Sequence, residues 1–237
     1  MKSPTFVFII CSAGARVGKT TMARLLADYF ILSQRQFAGF DTHSYEPEFA
    51  ERFPRQVAVV DLNSVQGQMA LFDPLLVHDE VPKIIDLWHH TVDAFFTLWD
   101  HMDFAAEARR IGVEPIVFLF AEPSPRSLAI ASHIVDRHPD LTMIAVNNEG
   151  TLLPGGIGRD ELARCRAGRT FTMGRLDPIL RGVIEVQSFS FSRFMLAPPF
   201  GMSIVVRACL KSWILQMVTQ LQSLELSMML ESTEHLG

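Results

Sequence analysis

Lys19 and Thr20 close the run Ala13-Gly14-Ala15-Arg16-Val17-Gly18-Lys19-Thr20, whose residue types suit the binding of a polyphosphate. Gly14 and Gly18 let the backbone turn so that successive N–H groups face inward. A helix starting near Lys19 adds the positive end of its dipole. The Lys19 ammonium is placed to reach β- and γ-phosphates, and the Thr20 hydroxyl to ligate Mg²⁺. Ala13 through Thr21 (Ala13, Gly14, Ala15, Arg16, Val17, Gly18, Lys19, Thr20 and Thr21) is the expected nucleotide-binding set. It is a relaxed match, with Ala13 where the strict pattern has glycine.

A metal-bound polyphosphate needs an acid near the loop, at the end of a neighbouring strand. Asp86, closing Lys83-Ile84-Ile85, is the first candidate for the metal. Asp41 ends another strand and can serve the metal's water shell or orient an attacking water, and Asp61, after Val57-Ala58-Val59-Val60, competes. Each also reads as an ordinary strand-end or capping aspartate. His89, His90 and Asp93 follow Asp86 at near-helical spacing. A strand-to-helix switch between them is expected to spoil a metal-binding face, and His101 and Asp103 read as helix surface. Asn147, after Thr142-Met143-Ile144-Ala145-Val146, stands where a purine can lie, and its amide both donates and accepts. With Asn148 adjacent, a turn-forming role is equally open. Arg159, Arg164, Arg166 and Arg169 read as solvated loop arginines, with charge neutralisation over a triphosphate as the sharper alternative.

The elements that must position these groups follow from periodicity. Phe6 to Ile10 is a continuous apolar run, expected of a strand covered on both faces. Thr20 to Leu32 reads as a helix and Phe37 to Phe40 as a second strand. Thr42 to Arg55 reads as a mobile loop. Val57 to Leu62 predicts a strand, Val65 to Val77 a helix, Pro82 to Leu87 a strand, and Thr91 to Arg110 one long helix. Ile116 to Phe120, Leu141 to Val146 and a segment near Phe171 predict further strands, with a helix over Pro125 to Arg137. Gly150 to Gly168 reads as a loop around a short helix. Asp177-Pro178 reads as a connection, and a C-terminal helix is expected at about 202–230. Strands alternating with helices predict an α/β fold: a three-layer, doubly wound, mostly parallel sheet whose post-strand loops share one edge. One P-loop nucleotide-binding domain over 1–237 is expected.

Composition narrows the partners. Of 237 residues, 49% are hydrophobic and 20% charged, as in a globular chain, and the net charge of −5 comes with no Lys/Arg-rich run, so no broad nucleic-acid footprint is present. Three scattered cysteines favour a reduced, cytoplasmic setting over a disulfide framework. Phe6 to Cys11 is too short for a secretory core, and the C-terminal apolar stretch, broken by Arg207 and Lys211, is too short to span a bilayer.

The loop ending Val17-Gly18-Lys19-Thr20-Thr21, a strand ending Asp41-Thr42, the Ile84-Ile85-Asp86 strand and the late Val146-Asn147 together resemble the MinD/ParA class of P-loop ATPases. That class includes partition ATPases, conjugal-transfer relatives and dethiobiotin-synthetase-like enzymes. The resemblance covers roughly residues 1 to 190, and only the phosphate loop is specific. It implies a seven- or eight-stranded sheet, Mg·ATP, and often an ATP-dependent homodimer. Lys19 and Thr20 then look like the phosphate and Mg²⁺ residues, Asp86 like the second-motif acid and Asn147 like the adenine-reading residue. Two positions depart from the class. Partition ATPases carry a signature lysine where this chain has Gly14, and a second acid where it has His43. Both departures remove groups used in dimer-coupled hydrolysis and leave the binding groups in place.

The resemblance implies a nucleotide-dependent switch in partition, transfer or positioning, with a protein partner it does not identify. An ATP-using biosynthetic synthetase or small-molecule kinase, and a regulatory protein with little hydrolysis, are the alternatives. MinD-type proteins end in a membrane-targeting amphipathic helix. Here the stripe Val205, Val206, Leu210, Trp213, Ile214, Met217, Val218 and Leu221 has no base beyond Lys211, and Glu225, Glu231 and Glu234 follow. A helix packed on the sheet or on a subunit is therefore expected.

Overall fold

The computed structural model describes residues 3–120, 124–139, 141–151 and 169–234. Strand β1 (Thr5–Cys11) is buried at all seven positions, as its unbroken apolar run demands. Around it lie β2 (Ala38–Asp41), β3 (Val57–Val59), β4 (Lys83–Asp86), β5 (Val113–Phe120), β6 (Thr142–Asn148) and β7 (Arg169–Met173). They form one sheet in the order β3-β2-β4-β1-β5-β6-β7. Every pairing is parallel, where the sequence predicted a mostly parallel sheet.

Alternation along β1 makes the three layers. Phe6, Phe8 and Ile10 face a core shared with α1 (Lys19–Leu32), α2 (Glu48–Arg52), α7 (Pro178–Glu185), α8 (Phe191–Leu196) and α9 (Ile204–Glu234). Val7, Ile9 and Cys11 face a second core, with α3 (Val65–Leu75), α4 (Val92–His101), α5 (Phe104–Arg110) and α6 (Pro125–Arg137). Phe8 and Phe118 are both almost fully buried, and each contributes roughly 1.5–3 kcal/mol by leaving water. The chain runs outward from β1 through β2 and β3, returns to β4 beside β1, then crosses to β5 on its other side. The reversal falls at β1, and parallel strands bring the loops after β1, β2, β4, β5 and β6 to one edge.

Three expectations are corrected here. The single helix over Thr91 to Arg110 is two, broken at Asp103, which adopts φ 49. Phe95 and Phe104 are both fully buried in the same core. Nine residues apart, they would lie on opposite faces of one straight helix, so the break lets both point inward. The stretch Thr42 to Arg55 is no plain loop, because it contains α2, anchored by fully buried Phe49. Asp177-Pro178 starts α7: the Asp177 carboxylate accepts from the Ile179 N–H at 2.8 Å, with proline in the first turn.

The last helix, α9, packs Leu210, Trp213, Ile214, Met217 and Leu221 into the core, matching the expectation of a helix laid against the sheet. Gln220 also pairs with the exposed edge of β7, accepting from the Thr172 N–H (2.9 Å) and donating to the Thr172 carbonyl (3.0 Å). That satisfies backbone groups that an edge strand otherwise leaves open.

Candidate functional site

The loop Ser12–Gly18 joins the central strand directly to α1. Its curvature comes from left-handed backbone at Arg16 (φ 60) and Gly18 (φ 103). The sequence pointed to Gly14 and Gly18 for this turn. The structure gives the first left-handed position to Arg16, and Gly14 instead donates its N–H to the Ser12 hydroxyl at 3.0 Å. Glycine at 18 is required twice over: its φ disfavours any side chain, and a Cβ there would stand 2.8 Å from Asn148 Nδ2. No side chain caps the start of α1, and its first turn carries no acid, so the helix presents its positive end to the loop without a competing carboxylate. Lys19 is buried, and its ammonium donates to the Gly14 carbonyl at 2.9 Å, folding back over the loop it would serve.

Strand order sets the three acids at different distances from β1. Asp86 lies on β4, hydrogen-bonded to β1, in register with Ile10. Thr20 hydrogen-bonds to its carboxylate, and burial, with Asp41's charge next in importance, pushes the Asp86 carboxyl up to about 7 against the pull of Thr20 and Lys19. Asp41 sits across from Asp86 on β2. Its carboxylate already accepts three backbone N–H groups: His43 (3.0 Å), Phe49 (3.0 Å) and Ala50 (3.2 Å). These bonds hold the turn after β2 and the start of α2. Burial raises the Asp41 pKa, and the three donors oppose it. Asp61 follows the edge strand β3, with β2 and β4 between it and β1. It is exposed and accepts from Asn63.

At the other side of the loop, the neighbour of the expected asparagine bonds to it. Asn148 donates to the Val17 carbonyl at 2.7 Å and accepts from Gly150 N–H at 2.9 Å. Asn147 pairs in register with Thr172 and alternates to the opposite face. The parity of β6 carried the signal: Ile144 and Val146 face the α1 core, and Asn148 continues their face.

Residues after β2 and β4 add the Thr42 hydroxyl and the Trp88 ring, to which the sequence assigned no role. The Thr42 hydroxyl donates to the Asp86 carbonyl (3.2 Å) and accepts from Trp88 N–H (2.7 Å), locking the two strand ends together. Trp88 stacks on His43 with centroids 4.7 Å apart and meets His90 at 4.6 Å. Partial burial, with His90 and Lys19 adjacent, pushes His89 down to about 4. Asp86 ends a strand and α4 begins only at Val92, so Asp86, His90 and Asp93 do not share a helix face. Arg169 opens β7 and pairs with Glu231 of α9. Arg159, Arg164 and Arg166 lie outside the described residues.

No protein-family model and no curated protein sequence matches the chain. Among solved structures it is similar to a nucleotide-binding protein from Archaeoglobus fulgidus in complex with ADP. Identity is 16% and the TM-score 0.49, over 77% of this chain and 86% of that one.

Proposed function

We propose that the chain binds Mg·ATP at the β1–α1 loop and acts as a nucleotide-dependent switch of the MinD/ParA type. The observation that carries this reading is the convergence of three groups: Lys19 over the loop, Thr20 at the start of α1, and Asp86 on the adjacent strand, hydrogen-bonded to Thr20.

The groups fit their ligands. A hydroxyl and a carboxylate are hard oxygen donors, the kind Mg²⁺ takes alongside phosphate oxygens and water. Asp86 is a buried acid whose carboxylate form is under-compensated, a deficit a divalent cation relieves. Thr20 and Asp86 would hold the metal, which supplies neutralisation of phosphate charge. Lys19 exchanges its bond to the Gly14 carbonyl for phosphate oxygens. The loop N–H groups and the start of α1 bind the remaining oxygens, and Asn148, on the loop's flank, is the nearer asparagine for a base.

Asp41, expected to orient water, spends its carboxylate on three backbone donors. With Gly14 and His43 at the two departing positions, this supports tight binding with slow hydrolysis. Calorimetric titration of Mg·ATP into wild type and Lys19→Ala tests the reading: binding by wild type and none by the variant is expected, and equal affinity would refute it.

The Trp88–His43 stack beside Asp86 favours one second reading, an ATP-dependent enzyme acting on a small acceptor. Phosphate release that needs an added small molecule and stays first-order in protein would select it over the switch.

A further inference from the structure

The two edge strands of the sheet are finished differently. At β7, Gln220 takes up the outward N–H and carbonyl of Thr172. At β3 the backbone faces outward. Gly39 N–H donates to the Gln56 carbonyl and Val60 N–H to the Asp41 carbonyl, so residues 56, 58 and 60 turn their backbone groups to β2. Alternation then turns those of Val57 and Val59 away from the sheet. The Val57 N–H is held by the Phe53 carbonyl, and the Val57 carbonyl and both groups of Val59 stand at the open edge. Ala58 and Val59 are exposed, Val59 over 46% of its surface. Val57 to Val60 carries no lysine, proline or other guard against pairing with a further strand.

Helix α3 flanks this edge. Ser64 caps it, the hydroxyl accepting from Gly67 N–H at 3.0 Å. A Cβ at Gly67 would collide with the Asp61 carbonyl, so the first turn of α3 lies directly against the end of β3. Val65, Gln66, Met69 and Ala70 are exposed, and their spacing puts them on one helix face. Exposure is 70% at Val65 and 56% at Met69. Residues 62–72 hold no charged side chain. An uncharged helix face beside an unguarded apolar strand marks a contact surface.

The charges around β3 identify the occupant. Arg55 and Asp61 are both exposed, and each stands three residues from Ala58. If a second copy pairs antiparallel about a two-fold axis through Ala58, Val57 of each copy faces Val59 of the other, and Arg55 faces Asp61. The free Val59 N–H then meets the free Val57 carbonyl, twice by symmetry. Opposite charges meet at both ends of the pair, and the two α3 faces come side by side. A slip that moves the axis to Val59 sets Val57 against Asp61 and Arg55 against Asn63, and loses both ion pairs.

We propose that two copies of the chain pair antiparallel through β3, about Ala58, into one continuous sheet. With β2 and β4 between β3 and β1, this interface lies to the side of the phosphate loop and forms without nucleotide. It therefore differs from an ATP-dependent dimer, and Lys19→Ala, which removes nucleotide binding, keeps it.

The test is sedimentation velocity of the full chain without nucleotide, over a range of protein concentrations. Wild type and Lys19→Ala are both expected to be dimers. Arg55→Asp sets like charges against each other at both ends of the pair and should raise the dimer dissociation constant about tenfold or more. Asp61→Arg should act in the same direction, and the two substitutions together should restore the dimer. Val59→Lys should also dissociate it, by guarding the edge. Circular dichroism matching wild type establishes that each variant is folded. Asp61→Asn, which removes the charge and keeps an acceptor for the Asn63 N–H, is a second variant at that position and should weaken the dimer. A monomeric wild type overturns the proposal, as does a dimer that forms only with ATP. Folded Arg55→Asp and Val59→Lys variants that dimerise like wild type overturn it too, and failure of the paired substitution to recover the dimer overturns the pairing about Ala58.

Discussion

Asn148 donates its side-chain amide to the Val17 carbonyl over 2.7 Å, joining residues 131 positions apart in the chain. The bond ties the end of β6 to the inside of the loop after β1, and the Asn148 amide nitrogen also fills the space a Cβ at position 18 would need. The loop is thus shaped from two sides: from its own backbone at Arg16 and Gly18, and from a strand two places away in the sheet.

Asn148→Ala removes that tie and leaves the Val17 carbonyl without its donor. A loss of about 1 kcal/mol in urea unfolding is expected, together with weaker Mg·ATP binding by calorimetry. Asn147→Ala should change loop binding less. The opposite ranking would favour Asn147 as the base-reading residue.

Gly18→Ala meets both a positive φ and the Asn148 amide. The expected cost is about 1–3 kcal/mol from the backbone alone, read from denaturant midpoints. Removing the amide in the double variant with Asn148→Ala should recover the steric share and leave the backbone share.

The Asp86 carboxyl titrates at about 7 when folded, against 3.8 as an ordinary aspartate. An acid whose pKa is raised by folding binds more protons in the folded state, so its contribution to stability falls as pH rises from about 4 to about 7 and is level above that. Thermal unfolding without metal should therefore show Asp86→Asn gaining stability relative to wild type across this window. The same variant should lose Mg²⁺-dependent nucleotide binding. With the carboxylate holding the metal as proposed, Mg·ATP binding to wild type below pH 7 should release a proton, visible as a buffer-dependent heat.

Asp41→Ala strips acceptors from three buried or half-buried N–H groups. Loss of about 1–3 kcal/mol is expected, with faster hydrogen exchange at Phe49 and Ala50. If Asp41 instead orients water, the variant would keep its stability and lose phosphate release.

Local chemistry determined much of this protein. The apolar run of β1, the Gly-Lys-Thr ending of the loop and the amphipathic start of α1 are each set by residues within a few positions of one another. They could be read directly, as could Asp86 at a strand end and the alternation that makes a parallel sheet. The tertiary structure decided what depends on pairing between distant segments. Strand order put Asp86 beside β1 and Asp61 at the far edge; the face parity of β6 brought Asn148 to the loop; and α2, folding back after β2, took up the Asp41 carboxylate. The break at Asp103 belongs to the same group, because a helix pattern records which residues are apolar and not which surface is there to cover them. Register and strand order arise from long-range burial and hydrogen bonding, for which the local sequence carries no period to read.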